Sequence, residues 1–193
     1  MDSKSNKEAN WEFIYNNCAP VLYNYGQKIT TDIQLAEDCI QDVFTELWEK
    51  RDTIHQIQHI KAYLIKVFRR RVINKMNIEQ QRITHNAYVH EIEFNISFSF
   101  EAALIHDEIC EAQKKRLQKA LQNLTHRQRE AIYLKFYEGY TYAEIAEIMT
   151  LEKSAVYSLI YKAMTQLREE MKDNHLTVDA GMGLFSLLFL FLS

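Results

Sequence analysis

Residues 124–171 read LTHRQREAIYLKFYEGYTYAEIAEIMTLEKSAVYSLIYKAMTQLREEM. Successive helix starts in this stretch decide the fold. Thr125 can cap a helix, with Gln128 three residues on as its capping-box partner. Ala131, Ile132, Leu134 and Phe136 continue that helix as far as Gly139, a C-terminal stop. Thr141 caps a second, short helix over 142–149. A tight turn at 150–153 comes next, and Ser154 caps a last helix to about Met171. Two short helices joined by a turn of about four residues form the helix-turn-helix pattern, whose second helix enters the major groove of DNA. Ala143, Ile145, Ala146 and Val156 are its expected buried hinge. The same pattern suits any small helical bundle, so spacing alone leaves DNA binding open.

The helical reading extends outward. Leu117, Ala120, Leu121 and Leu124 form one apolar stripe just upstream. Residues 11–30 repeat apolar positions at spacings of three and four (Trp11, Ile14, Tyr15, Cys18, Leu22, Tyr25), and Pro20 is expected to kink or split that helix. Residues 32–51 carry Asp32 as cap and a stripe of Leu35, Cys39, Ile40, Val43, Phe44, Leu47 and Trp48. Residues 52–60 read as a loop with a helical turn. Residues 60–77 resume helix, with Tyr63, Leu64, Val67, Phe68 and Val72 inward. In 78–110 the pattern breaks. FNISFSF places Phe94, Ile96, Phe98 and Phe100 at a period of two, so it reads as extended chain within a linker, or as an edge strand packed on a domain.

Only 4 Gly and 1 Pro occur in 193 residues, which agrees with a mostly helical chain and excludes collagen-like and low-complexity classes. Formal net charge is −3, but the sign alternates: residues 1–49 sum to −6, 50–82 to +7, 83–112 to −6, 113–172 to +4 and 173–193 to −2. Each basic block could face a polyanion locally, or simply be a solvated helix face.

Three widely spaced cysteines (Cys18, Cys39, Cys110) and no CxxC fit a reduced, cytoplasmic setting rather than structural zinc. His55 and His59 could share a helical face, but nothing nearby completes a four-ligand site. No P-loop, GxGxxG, GxSxG or HExxH occurs, and no nucleophile stands beside a base. A binding role is favoured over catalysis, with no metal and no cofactor. The end of the chain, 181–193, reads GMGLFSLLFLFLS. As helix it spans ~20 Å, short of a ~30 Å hydrocarbon core. Three readings of it stay open: docking onto a partner or this chain's own domain, a membrane-surface anchor, or a protease-accessible regulatory end.

Three strings, LAEDCIQDVFTELWEKRD, HIKAYLIKVFRRRVIN and ALQNLTHRQREAIYLKFYEGYTYAEIAEIMTLEKSAVYSLIYKAMTQLRE, in this order and spacing, resemble extracytoplasmic-function (ECF) sigma factors of bacterial RNA polymerase. The last helix is similar to members common in Bacteroidetes. The resemblance covers roughly 11–77 and 111–171. It implies an all-α protein of two small helical domains, a polymerase-binding and promoter-melting domain at 11–77 and a helix-turn-helix domain at 111–172, joined by an acidic flexible linker at 78–110; outside the resemblance stand a 1–10 expected to be disordered and a hydrophobic tail at 173–193. The first would bind the clamp helices of the large polymerase subunit and melt the minus-ten element. The second would read the minus-thirty-five element. An anti-sigma factor is an expected partner, and through it or the tail the cytoplasmic chain could associate with a membrane.

By the same resemblance, Asp38, Gln41, Phe44, Leu47 and Trp48 fall in the polymerase-binding segment, and one of Phe44 and Trp48 is expected to be core. Lys61, Tyr63, Lys66, Arg69, Arg70 and Asn74 fall in the minus-ten segment. Its cations, with Arg71 and Lys75, can neutralise phosphates. The loop at 51–60 corresponds to one that holds an unstacked base, worth ~1–3 kcal/mol per stacked base. Many relatives have Arg-Asn at Arg69–Arg70 and Asp at Asn74, so the resemblance carries over no base preference at these positions. Ser154, Tyr157, Ser158, Tyr161 and Lys162 fall on the groove-facing side of the last helix. Relatives often carry Lys or Arg where Tyr157 and Leu159 stand, which implies weak independent DNA affinity for this domain. The acidic linker could occupy basic nucleic-acid channels before RNA does. Competing readings are a stand-alone helix-turn-helix regulator and a module that only sequesters polymerase.

Overall fold

The computed structural model describes residues 2–84, 93–95 and 108–171, and all regular structure in them is helical. The chain divides into two compact units, Met1–Glu93 and Phe94–Ser193. The linker beyond these stretches, and the 181–193 tail, lie outside the described residues.

The first unit packs α1 (Asp2–Ile29), α2 (Ile33–Glu49) and α3 (Ile60–Thr84) around one core. Asp32 caps α2 by accepting the Leu35 N–H at 2.9 Å. One stripe of α2 is buried: Ala36, Cys39, Ile40, Val43, Phe44 and Leu47. It meets Ile14, Cys18, Leu22, Tyr25 and Ile29 of α1 and Leu64, Ile65, Phe68 and Val72 of α3. Phe68 is fully buried, with the Tyr25 ring edge-on at 6.3 Å, and contributes about 1.5–3 kcal/mol by leaving water. Gly26 lets the helices close on it. A Cβ there would stand 3.1 Å from Phe68 Cζ and 3.2 Å from Ala36 Cβ.

Three boundaries differ from the sequence reading. α1 starts at Asp2, so 2–10, expected to be disordered, form its first turns. Pro20 lies within α1 and does not split it. It sits on the exposed side, where the carbonyl deprived of its donor, that of Asn16, can turn to water. α3 runs to Thr84 rather than 77, since 78–84 contain neither Gly nor Pro to stop it. The loop between α2 and α3 holds the expected turn, a 3₁₀ segment at Ile54–Gln56.

The second unit contains α4 (Glu108–Asn123), α5 (His126–Ile132), α6 (Tyr142–Met149) and α7 (Lys153–Met171). Leu117, Ala120, Leu121 and Leu124 are buried. Arg116 Nε donates to the Glu170 carbonyl at 2.8 Å and Gln166 Nε2 to that of Asn123 at 3.2 Å, so the ends of α4 and α7 are tied. Both predicted caps of the central helices are present as full capping boxes, Thr125 with Gln128 and Thr141 with Glu144. The helix after Thr125 is not regular as far as Gly139. It changes at Tyr133–Tyr137 to a π turn, and Gly139 then takes φ 75°. Phe94 is fully buried, its ring 5.5 Å from that of Tyr133, so one residue of FNISFSF belongs to this core. The remainder of that motif, 96–100, is outside the described residues.

The helix-turn-helix differs in detail. Ile145, Ala146 and Val156 are buried as expected, but Ala143 is exposed. α7 starts at Lys153, because the Glu152 carbonyl accepts the N–H of Ala155 at 3.0 Å and of Val156 at 3.2 Å. Ser154 is therefore inside the first turn and not the cap. The turn itself depends on Thr150, which closes α6 in the left-handed region at φ 55°. A β-branched residue is costly there, by roughly 1–2 kcal/mol. Thr150→Asn should relieve part of this strain. The expected outcome is a urea midpoint raised by the equivalent of about 0.5–1 kcal/mol, and an unchanged or lower midpoint would mean that Thr150 is not strained.

Candidate nucleic-acid interface

Three helix faces carry the predicted site residues. On α2, Asp38, Gln41 and Trp48 are exposed, whereas Phe44 and Leu47 are buried. The last two side chains are used in the core and cannot meet a partner directly. Trp48 is 42% exposed and is braced by the Trp11 ring at 4.9 Å and the Arg51 guanidinium at 5.1 Å. Phe44 lies beneath, 4.7 Å from the Tyr15 ring. Trp11, which in the sequence reads only as a core position, is half-buried and supports the exposed Trp48 ring.

On α3, Tyr63, Lys66, Arg70 and Asn74 succeed one another at spacings of three and four and share one face. Lys66, Arg70 and Asn74 are exposed, Tyr63 half-buried and Arg69 half-buried at the flank. Lys61 falls on another side, in the first turn. Arg71 and Lys75 do not join this face. Arg71 Nη2 meets Glu46 Oε2 at 2.6 Å, and Lys75 Nζ meets Asp42 Oδ2 at 3.0 Å, both across to α2. Two cations expected to neutralise phosphates are instead committed to carboxylates of the neighbouring helix. Periodicity puts Arg71 and Lys75 on a different side of α3 from Arg70 but does not say what that side faces.

The same cluster shifts protonation. Hydrogen bonding to Lys50, with Arg71 adding to it, holds the Glu46 carboxyl below its usual range. Bonding to Asp42 pushes the Lys75 ammonium up. Burial pushes the Cys18 and Cys39 thiols up, which keeps both as inert core groups. Among the described residues no three metal-ligating side chains gather, and the His55 side chain is outside them.

On α7, Ser154, Tyr157, Ser158, Tyr161 and Lys162 are all exposed on one face. Tyr161 is 73% exposed. Beside them is an open hollow of about 560 Å³, bounded by Lys135 and Phe136 of the π turn, Tyr142 of α6, and Tyr161, Met164 and Arg168 of α7. The Tyr142 and Tyr157 rings stack at 4.0 Å, 20° from parallel. Lys135 Nζ lies 4.9 Å over the Tyr142 ring and Lys153 Nζ 6.0 Å over that of Tyr157. Lys135 and Tyr142 were not singled out from sequence, since the π turn breaks the helical period that would have placed them.

Two family descriptions match the chain: "Sigma-70 region 2" over residues 14–82 and "Sigma-70, region 4" over 114–167. The chain is 22% identical over 157 residues to the ECF RNA polymerase sigma factor SigK of Mycolicibacterium vanbaalenii, covering 81% of this chain and 79% of the relative. It is 22% identical over 158 residues to SigK of Mycobacterium ulcerans, covering 80% and 82%. The fold is similar to that of the sigma factor RpoE, solved in complex with the anti-sigma factor NepR from Bartonella quintana. That likeness has a TM-score of 0.60 and 22% identity, and covers 86% of this chain and 99% of the other. The chain belongs to the ECF sigma factors, with sigma-70 regions 2 and 4. As such it directs RNA polymerase to promoters in transcription initiation and is a non-catalytic subunit. The stand-alone regulator reading gives way to this, because residues 14–82 match sigma-70 region 2. These relatives give no support to the Bacteroidetes likeness.

The depressed Glu46 carboxyl stabilises the fold above its ordinary pKa of 4.5, and that contribution is lost as pH falls through the lowered value. Glu46→Gln should lower the urea midpoint at pH 7. The gap from the parent chain should close as pH falls below 4.5; a gap that persists there would exclude the ionised carboxylate as its source.

Proposed function

We propose that the three exposed faces divide promoter recognition between them. Asp38, Gln41 and Trp48 of α2 bind the clamp helices of the large polymerase subunit, over the buried support of Phe44 and Leu47. Tyr63, Lys66, Arg69, Arg70 and Asn74 of α3 receive the minus-ten element, with Lys61 near the entrance and the loop over 51–60 taking a flipped base. Ser154, Tyr157, Ser158, Tyr161 and Lys162 of α7 read the minus-thirty-five element. The observation that carries this division is the two-sided use of α3. Arg71 and Lys75 face carboxylates of α2, while Lys66 and Arg70 stand on the other side, exposed and aligned. Cations there neutralise phosphates and add affinity with little base choice.

Affinity of the second unit alone is weak on this reading, and polymerase supplies the rest. The acidic linker read at 78–110 occupies basic nucleic-acid channels of the polymerase before RNA does, with Phe94 held in the second unit. An anti-sigma factor restrains the chain in the cytoplasm, as NepR is bound to RpoE in the Bartonella complex. For 181–193 the three roles open from the sequence remain: docking on a partner or on this chain's own domain, a membrane-surface anchor, or a protease-accessible regulatory end.

Trp48→Ala and Arg70→Ala separate the first two roles. Trp48→Ala should weaken association with core polymerase by about tenfold or more, as truncating an interface anchor does. Arg70→Ala should leave that association intact and lower promoter opening, with a salt slope reduced by about one. Pull-down of core polymerase and open-complex assays over a salt series read both. Equal loss of core binding in the two variants would reject the division.

A further inference from the structure

We infer that Lys135 and Tyr142 are positioning residues for minus-thirty-five recognition, holding the Tyr157 ring in one orientation on the groove-facing side of α7. This deepens the reading of α7 given above and rests on Tyr157 facing the promoter.

An exposed tyrosine on a helix surface is ordinarily free to change rotamer. Tyr157 is 47% exposed, yet one of its faces is covered by the Tyr142 ring, stacked at 4.0 Å. Lys135 Nζ stands 4.9 Å over the Tyr142 ring, and Lys153 Nζ 6.0 Å over that of Tyr157. Ring faces carry negative charge density, so cations beside the two rings reinforce the pair. Lys135 is itself fixed, donating to the Tyr140 carbonyl at 3.2 Å. It belongs to the π turn at Tyr133–Tyr137. From within that turn Lys135 reaches both the Tyr140 carbonyl and the Tyr142 ring of α6. The chain from π turn to α6 to α7 therefore ends on one reading side chain. A ring fixed before DNA arrives discriminates between bases more sharply than one ordered on binding, since a mobile ring adapts to each.

The test uses full-length chain with core polymerase and a promoter library randomised through the minus-thirty-five element, transcripts being sequenced. Tyr157→Ala should flatten base preference at one or two positions. Tyr142→Leu should flatten the same positions by roughly fivefold, and the double variant should be no flatter than Tyr157→Ala. Tyr142→Phe, which still stacks, should keep the parent preference. Lys135→Met, chosen to leave the buried core intact, should give a partial loss at the same positions, and it carries the test if Tyr142→Leu does not fold. Uniform loss across all bases in Tyr142→Leu and Lys135→Met would mean a merely structural role and overturn the inference. If Tyr157→Ala flattens preference and neither positioning variant does, the inference falls alone. If Tyr157→Ala changes nothing, the reading of α7 through Tyr157 falls and takes the inference with it.

Discussion

Each working helix has to bury one face and present another, and the rest of the molecule depends on that constraint. α2, α3 and α7 are each held by a stripe of side chains that leaves water, and only the opposite stripe can meet polymerase or DNA. The rule decides which residues of a motif touch a partner. Phe44 and Leu47 fall on the buried stripe of α2, Asp38, Gln41 and Trp48 on the open one. Close approach at Gly26 keeps the three helices of the first unit together, so that the faces of α2 and α3 are presented as one rigid piece.

Charge is divided by the same logic. α3 is strongly basic, and part-buried pairs of the kind seen between Arg71 and Glu46 add only modest stability. Their effect lies in orientation: they turn one flank of α3 toward α2 and satisfy its cations there. Lys66 and Arg70 remain on the side where a polyanion can approach. A row of cations that reads as uniform along the sequence is thus two rows with different partners.

In the second unit the local chemistry is concentrated at its joints. Two capping boxes start the short helices, Thr150 closes α6 in a left-handed conformation, and the π turn shifts the face presented after Tyr133. Buried Tyr133 donates its hydroxyl to Glu138 Oε1 at 2.7 Å within that turn, and burial raises its pKa. The joints determine how α7 is aimed, and so which of its residues can enter a groove.

The sequence by itself did not determine that Tyr15, Trp48 and Ala143 stand exposed, but it determined the helical class, the two-unit division, the caps at Asp32, Thr125 and Thr141, and most of each apolar stripe. These arise from contacts within a few residues along the chain: side-chain periodicity, a hydroxyl or carboxylate reaching an N–H three residues on, a glycine where a helix ends. Even the exposed members of each site could be narrowed by period. Only the tertiary structure decided that Arg71 and Lys75 face α2, that Phe94 enters the second core, that Pro20 leaves its helix unbroken, and that Lys135, Tyr142 and Tyr157 meet in one stack. Each of these depends on what another segment, distant in sequence, places against the residue, and no local pattern carries that information.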